Sequence, residues 1–131
     1  MEKQLGKVGE ITQAVVETLG LSIKPGTPIF IGKTNIEHMQ KRHPEDYAKY
    51  GRHIQDIIAN PDYVGISPGD NSIEYTKEFP MDNEYVKVAV RVSLGGKYFA
   101  RSVFIRNRAK VDSFIANGTL KKLDKYAKYE A

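Results

Sequence analysis

The alternation Val86-Lys87-Val88-Ala89-Val90-Arg91-Val92 constrains the fold more than any other stretch of the chain. Successive strand side chains point to opposite faces, so the four valines line one face while Lys87, Ala89 and Arg91 line the other. The same alternation and β-branched content predict strands over Ser72–Phe79, Tyr85–Ser93 and Lys97–Asn107. Gly95-Gly96 lies between the last two and suits a hairpin turn with positive φ. In the last strand Tyr98, Ala100, Ser102 and Phe104 share one face and Phe99, Arg101, Val103 and Ile105 the other. Strict alternation therefore parts Arg101 from Ser102, and both face one cleft only if a bulge intervenes.

Before this block the pattern is helical. Residues 1–8 read as a frayed start, and Ile11, Val15, Val16 and Leu19 recur at helical spacing over Gly9–Leu19, with Gly20 as a stop. Lys24–Pro28 is a turn, and Ile29-Phe30-Ile31 reads as a short buried strand. A helix is expected over Thr34–His43, with Thr34 as N-cap, Glu37 at capping-box spacing and Pro44 ending it. On that helix Ile36, Met39 and His43 fall near one face, whereas His38 and Arg42 share another. A further turn follows Pro44, then a helix over Gly51–Ala59 that presents Ile54, Ile57 and Ile58. Tyr47 and Tyr50, in the corner, read as packing residues, the alternative being stacking platforms for bases. Tyr63–Ile66 suits a strand and Val111–Ala116 a helix. The expected architecture is α+β, with N-terminal helices packed on a four-stranded antiparallel sheet whose other face is left for a ligand. The 131 residues make one domain: residues 1–28 a helix and turn, 29–120 the core, 121–131 a basic tail.

Composition removes several functions. The chain has no cysteine, which excludes disulfides and thiolate catalysis, and its three histidines show no metal-ligand spacing. No apolar run reaches membrane-spanning length, and phosphate-loop, esterase and zinc-protease motifs are absent. The net charge is +4, and Lys97, Arg101, Arg106, Arg108 and Lys110 follow one another with no acid between them. Lys121, Lys122, Lys125 and Lys128 extend the positive charge into the tail. Such segregation suits a polyanion, although a solvated basic face has the same composition.

His38, Arg42 and His43 on the helix, with Lys77, Arg91, Arg101 and Ser102 on strands, are the candidates for chemistry; the alternative for Lys77 and Arg91 is cross-strand pairing with Glu74 or Glu78, and for Ser102 an incidental small residue. Cleavage of an RNA phosphodiester without a metal needs a base for the ribose 2′-OH and an acid for the 5′-oxygen, and histidine titrates near neutrality. It also needs cations for the charge that builds on phosphorus, which arginine meets with a bidentate contact and lysine with a point charge.

The motifs I-x-H-M-x-x-R-H-P (Ile36–Pro44), Y-x-x-x-I-x-x-I-I-x-N-P-D-Y-V-G (Tyr50–Gly65), S-I-E-Y-x-K-E-F (Ser72–Phe79), V-K-V-A-V-R-V-S (Val86–Ser93) and Y-F-A-R-S-V-F (Tyr98–Phe104) occur together in this order. The set resembles the phage-associated branch of the barnase–EndoU–colicin–RelE superfamily, found in phage head-morphogenesis proteins and in toxin modules. The resemblance implies a barnase/RelE-like fold and a ribonuclease that uses neither metal nor cofactor. It implies His38, His43, Lys77, Arg101 and Ser102 as catalytic residues, with Arg42 between the two histidines; the charge pattern adds Arg91, Arg106 and Arg108 to Arg42 as phosphate-binding cations. The expected substrate is tRNA or other cellular RNA, the expected partner an immunity protein, and the expected place of action the cytoplasm, with no membrane contact. The alternative is a module that grips RNA or a phage head component without cutting it.

Overall fold

In the computed structural model, which describes residues 5–123, one seven-stranded sheet has the order β1-β2-β6-β5-β4-β3-β7. The strands are β1 (Leu5–Ile11), β2 (Thr27–Gly32), β3 (Tyr63–Ile66), β4 (Ile73–Phe79), β5 (Glu84–Val92), β6 (Tyr98–Arg106) and β7 (Leu120–Lys122). The helices are α1 (Gln13–Leu19), α2 (Lys33–Arg42), α3 (Pro44–Tyr50), α4 (Ile54–Ala59) and α5 (Arg108–Ala116), with a 3-10 turn at Gly51–His53 between α3 and α4. The mixed α+β character is as expected. The sheet, however, has seven strands where four were expected, and helices alternate with strands along the chain rather than preceding them.

Each difference has a physical cause. The stretch expected to be frayed forms β1 along β2, where the pairing slips between Lys7 and Gly9. A Cβ on Gly9 would lie 2.8 Å from the Ile58 side chain, so this glycine lets α4 press against the strand. The first helix starts later than expected, at Gln13, because Thr12 caps it: the Thr12 Oγ1 accepts from the Val15 amide at 3.3 Å. The sheet is not purely antiparallel, since β2 pairs with β6 in parallel through Ile29–Tyr98 and Phe30–Phe99. The start of the basic tail becomes the edge strand β7, paired with β3, while Lys125 and Lys128 lie outside the described residues.

The core lies on one face of the sheet. Val86, Val88 and Val90 of β5 join Ile73 and Tyr75 of β4 and Ala100 and Val103 of β6, all buried. Val15 of α1, Met39 of α2, and Ile54, Ile57 and Ile58 of α4 close over them. Burying these side chains supplies most of the drive to fold, at about 25 cal/mol per Å² of apolar surface. On the opposite face α5 covers one end through Val111, Phe114 and Ile115, packed with Tyr85, Tyr63 and Leu120. The rest of that face, across β5 and β6, borders the site described next.

Tyr50 packs as expected, with 1% of its surface exposed. Its phenol lies 2.6 Å from Glu84 Oε1 and 2.9 Å from Asp82 Oδ2, which ties α3 to the β4–β5 turn. Burial, reinforced by these two carboxylates, raises the phenol's pKa.

Candidate active site

β2 runs into α2 without a loop, and that junction sets the helix start. Gly32 is the N-cap in an extended conformation, and the Asn35 side chain accepts from the Gly32 amide at 2.9 Å. Asn35, not Thr34, therefore makes the cap. α2 buries Met39 at its centre and ends at Arg42. His43 then serves as the last cap of α2 and the first of α3, with Pro44 at the opening of α3. Its amide donates to the Met39 carbonyl, and its own carbonyl accepts from the Tyr47 amide, both at 2.9 Å. The backbone of His43 is thus pinned on both sides. Its ring is pinned too, stacked on Phe104 with centroids 4.7 Å apart and planes 20° from parallel.

β6 supplies the other wall. β2 pairs with it only as far as Phe99, and beyond that the α2–α3 corner lies along its edge. Asp46 of α3 satisfies that edge directly: its Oδ2 accepts from the Ile105 amide at 3.0 Å. Against β5, Ser102 pairs with Ala89 and Ala100 with Val90, leaving Arg101 as the extra residue of a bulge. Ala100 and Val103 are both fully buried although three residues apart, which an unbroken strand would not allow. The bulge thus frees Arg101 and Ser102 together from the core. Arg101 is half-buried beside Ser102, which lines a pocket of about 290 Å³ with His38, Met39, Arg42 and His43.

The pocket walls carry two imidazoles, a guanidinium and a hydroxyl, but no carboxylate. Proton transfer in this pocket falls to histidine, and the other polar groups are hydrogen-bond donors suited to an oxyanion. Among the described residues no group of three or more His, Cys, Asp or Glu side chains is placed to hold a metal ion. No helix there is long and apolar enough to cross a membrane.

The model of the phage-Barnase-EndoU-ColicinE5/D-RelE like nuclease 3 family, PBECR3, matches residues 6–113. The chain belongs to this family. No curated protein and no solved structure matches it. The matched span takes in every strand but β7 and both walls of the pocket, so the PBECR3 nuclease assignment and the pocket concern the same part of the molecule.

The remaining cations of this PBECR3 chain divide by their partners. Arg91 pairs with Asp70 at 3.3 Å, Arg106 with Glu74 at 3.7 Å and Arg108 with Glu78 at 3.2 Å. Lys77 lies across from Val86, on the core side of the sheet, and donates to the Asn60 carbonyl at 2.9 Å, at the end of α4. The structure therefore does not bring Lys77 to the pocket. Arg42, which lines the pocket, and Arg101, which is the chain neighbour of Ser102 but is not among the lining residues, make no ion pair within the described residues. Sequence reasoning missed Phe104, Lys87, Glu74 and Asp46. Lys87 stands 4.7 Å from the Phe104 ring centroid and 3.0 Å from Glu74, with only 12% of each charged side chain exposed. Alternation already put Phe104 on the face of Ser102, which was the available signal; nothing local marked Asp46.

Proposed function

We propose that the pocket is the active site of a metal-independent endoribonuclease that acts by attack of the ribose 2′-OH. One imidazole of His38 and His43 takes the 2′-OH proton as the 2′-oxygen bonds to phosphorus. The other protonates the 5′-oxygen as the P–O5′ bond breaks, leaving a 2′,3′-cyclic phosphate and a 5′-hydroxyl. Arg42 and Arg101 hold the non-bridging oxygens, and the Ser102 hydroxyl donates to the same developing charge. The observation that carries this reading is the convergence of His38, His43, Arg42 and Ser102 on one pocket without a carboxylate. Family membership supports a nuclease; the choice of RNA rests on the histidine pair, which needs the 2′-OH as nucleophile. In this reading the protein is a toxin for cellular RNA such as tRNA, acts in the cytoplasm and is held in check by an immunity protein.

The test is incubation with total RNA in EDTA. Fragments with 2′,3′-cyclic ends are expected. Intact RNA at high concentration of folded protein overturns the reading, and salt-dependent binding without turnover would leave a module that only grips RNA. On expression, His38→Ala, His43→Ala and Arg101→Ala should each relieve growth inhibition. Unchanged inhibition in all three removes the site assignment.

A further inference from the structure

Two aromatic rings beside the pocket belong to neither hydrophobic core. Phe30 of β2 and Phe99 of β6 are register partners on the face away from the core, since their neighbours Ile29 and Ala100 point inward and are fully buried. Both rings are half-exposed, 6.2 Å apart and tilted by 49°. Both are absent from the packed clusters that absorb Tyr98, Ile105 and Phe114. The Lys97 ammonium stands 5.7 Å over Phe30, and Arg91 is the cross-strand partner of Phe99 on the same face. Arg101, without an ion pair among the described residues, follows at the bulge, then Ser102 in the pocket. Because Arg101 is bulged, Phe99 and Ser102 stand opposite Arg91 and Ala89, two residues apart on β5 and about 7 Å along a strand.

We propose that Phe99 and Phe30 form a stacking platform for an unpaired base of single-stranded RNA, next to the nucleotide whose phosphate enters the pocket. This deepens the ribonuclease reading and rests on it for the occupant of the pocket. Aromatic faces beside cations are the means by which proteins hold unpaired nucleic acid, because every base has a face to stack and every linkage a charge to neutralise. A base inside a duplex cannot reach such a platform without leaving its stack, so the site selects single strands. A second copy of the chain is the weaker occupant. A two-fold contact through this strip would set Lys97 and Arg101 against their own equivalents.

The experiment measures binding of short 2′-O-methyl oligonucleotides, which cannot be cut by 2′-OH attack, so binding is read apart from cleavage. The wild-type chain is expected to bind a single strand at least about tenfold more tightly than the same strand in a duplex. Phe99→Leu should weaken single-strand binding about tenfold, with a similar but smaller loss for Phe30→Leu. Removing the one base that sits on the platform should weaken wild-type binding by about as much, and add little to the loss in Phe99→Leu. This arm needs no altered protein and so survives a variant that fails to fold. Equal affinity for single strand and duplex, undiminished binding by folded Phe99→Leu, or indifference to every abasic position overturns the platform. Should RNA stay intact while these binding results hold, the cleavage reading fails and the platform stands; cleavage with undiminished binding gives the reverse.

Discussion

Asp46 is not among the residues that line the pocket, yet it should control it. Its carboxylate accepts from the Ile105 amide at 3.0 Å, on the β6 edge that β2 no longer covers. Replacing it with alanine orphans a partly buried amide, which costs about 1–2 kcal/mol. It also removes an acid from the first turn of α3, worth about 0.5 kcal/mol against the helix dipole. Together these make about 2 kcal/mol. At about 2.1 cal/mol/K per residue over 131 residues, Asp46→Ala should melt about 7 °C below the parent. Asp46→Asn keeps an acceptor and loses the charge, so its shift should be less than half as large. The functional effect exceeds the thermal one. His43 opens the helix that Asp46 anchors, and a displacement of about 1 Å at a catalytic group costs about a hundredfold in rate. Thermal melting read by circular dichroism, with initial rates on one RNA at a temperature where both proteins are folded, measures both. An Asp46→Ala protein that melts within about 1 °C of the parent and cuts RNA at the parental rate would refute the claim that this bond holds the corner to the strand.

Other consequences follow from the same structure. Arg42→Gln and Arg101→Gln should each flatten the dependence of log affinity for single-stranded RNA on log salt by about 0.7, whereas Arg106→Gln, already paired with Glu74, should leave it unchanged. An equal change for all three would contradict the division between free and paired cations. Lys77→Met should leave cleavage within about twofold while costing about 0.5–1 kcal/mol in a denaturant melt, through the lost bond to Asn60; a large rate loss without loss of stability would place Lys77 in the chemistry. Hydrogen bonds from the Tyr50 phenol and the Lys49 ammonium hold the Glu84 carboxyl below its ordinary value of 4.5. A lowered carboxylate contributes stability that is present above that value and is lost as pH falls through the folded-state value. Glu84→Gln should therefore lie below the parent at neutral pH and approach it as the medium is acidified past 4.5; a gap independent of pH would contradict the sign.

The parts of this fold legible in the sequence are those where one periodicity or one breaker dominates. The valine alternation of β5, the Gly95-Gly96 turn and the Pro44 break between α2 and α3 all stand where the pattern puts them. That Arg101 and Ser102 could share a face only across a bulge was also readable, and the pairing of β5 with β6 shifts at that point. What stayed hidden depends on distant partners. β1 contains two glycines and two charged residues, and it is a strand only because β2 pairs with it and α4 packs at Gly9. β7 is three residues long and owes its conformation to β3. The parallel step from β2 to β6 joins segments far apart in sequence, which no local pattern records. At the site, residue type suggested more phosphate-binding cations than the geometry leaves free. Arg91, Arg106 and Arg108 look like Arg42 and Arg101 until Asp70, Glu74 and Glu78 are seen beside them.

The most direct test of the central claim is a single cleavage assay: parent, His38→Ala and His43→Ala, each shown to be folded, incubated with one radiolabelled RNA in EDTA. The account predicts that the parent yields fragments ending in 2′,3′-cyclic phosphate and that each substitution slows their formation by at least about a hundredfold. Cleavage by both variants at the parental rate, or cleavage that requires an added divalent metal, would contradict it.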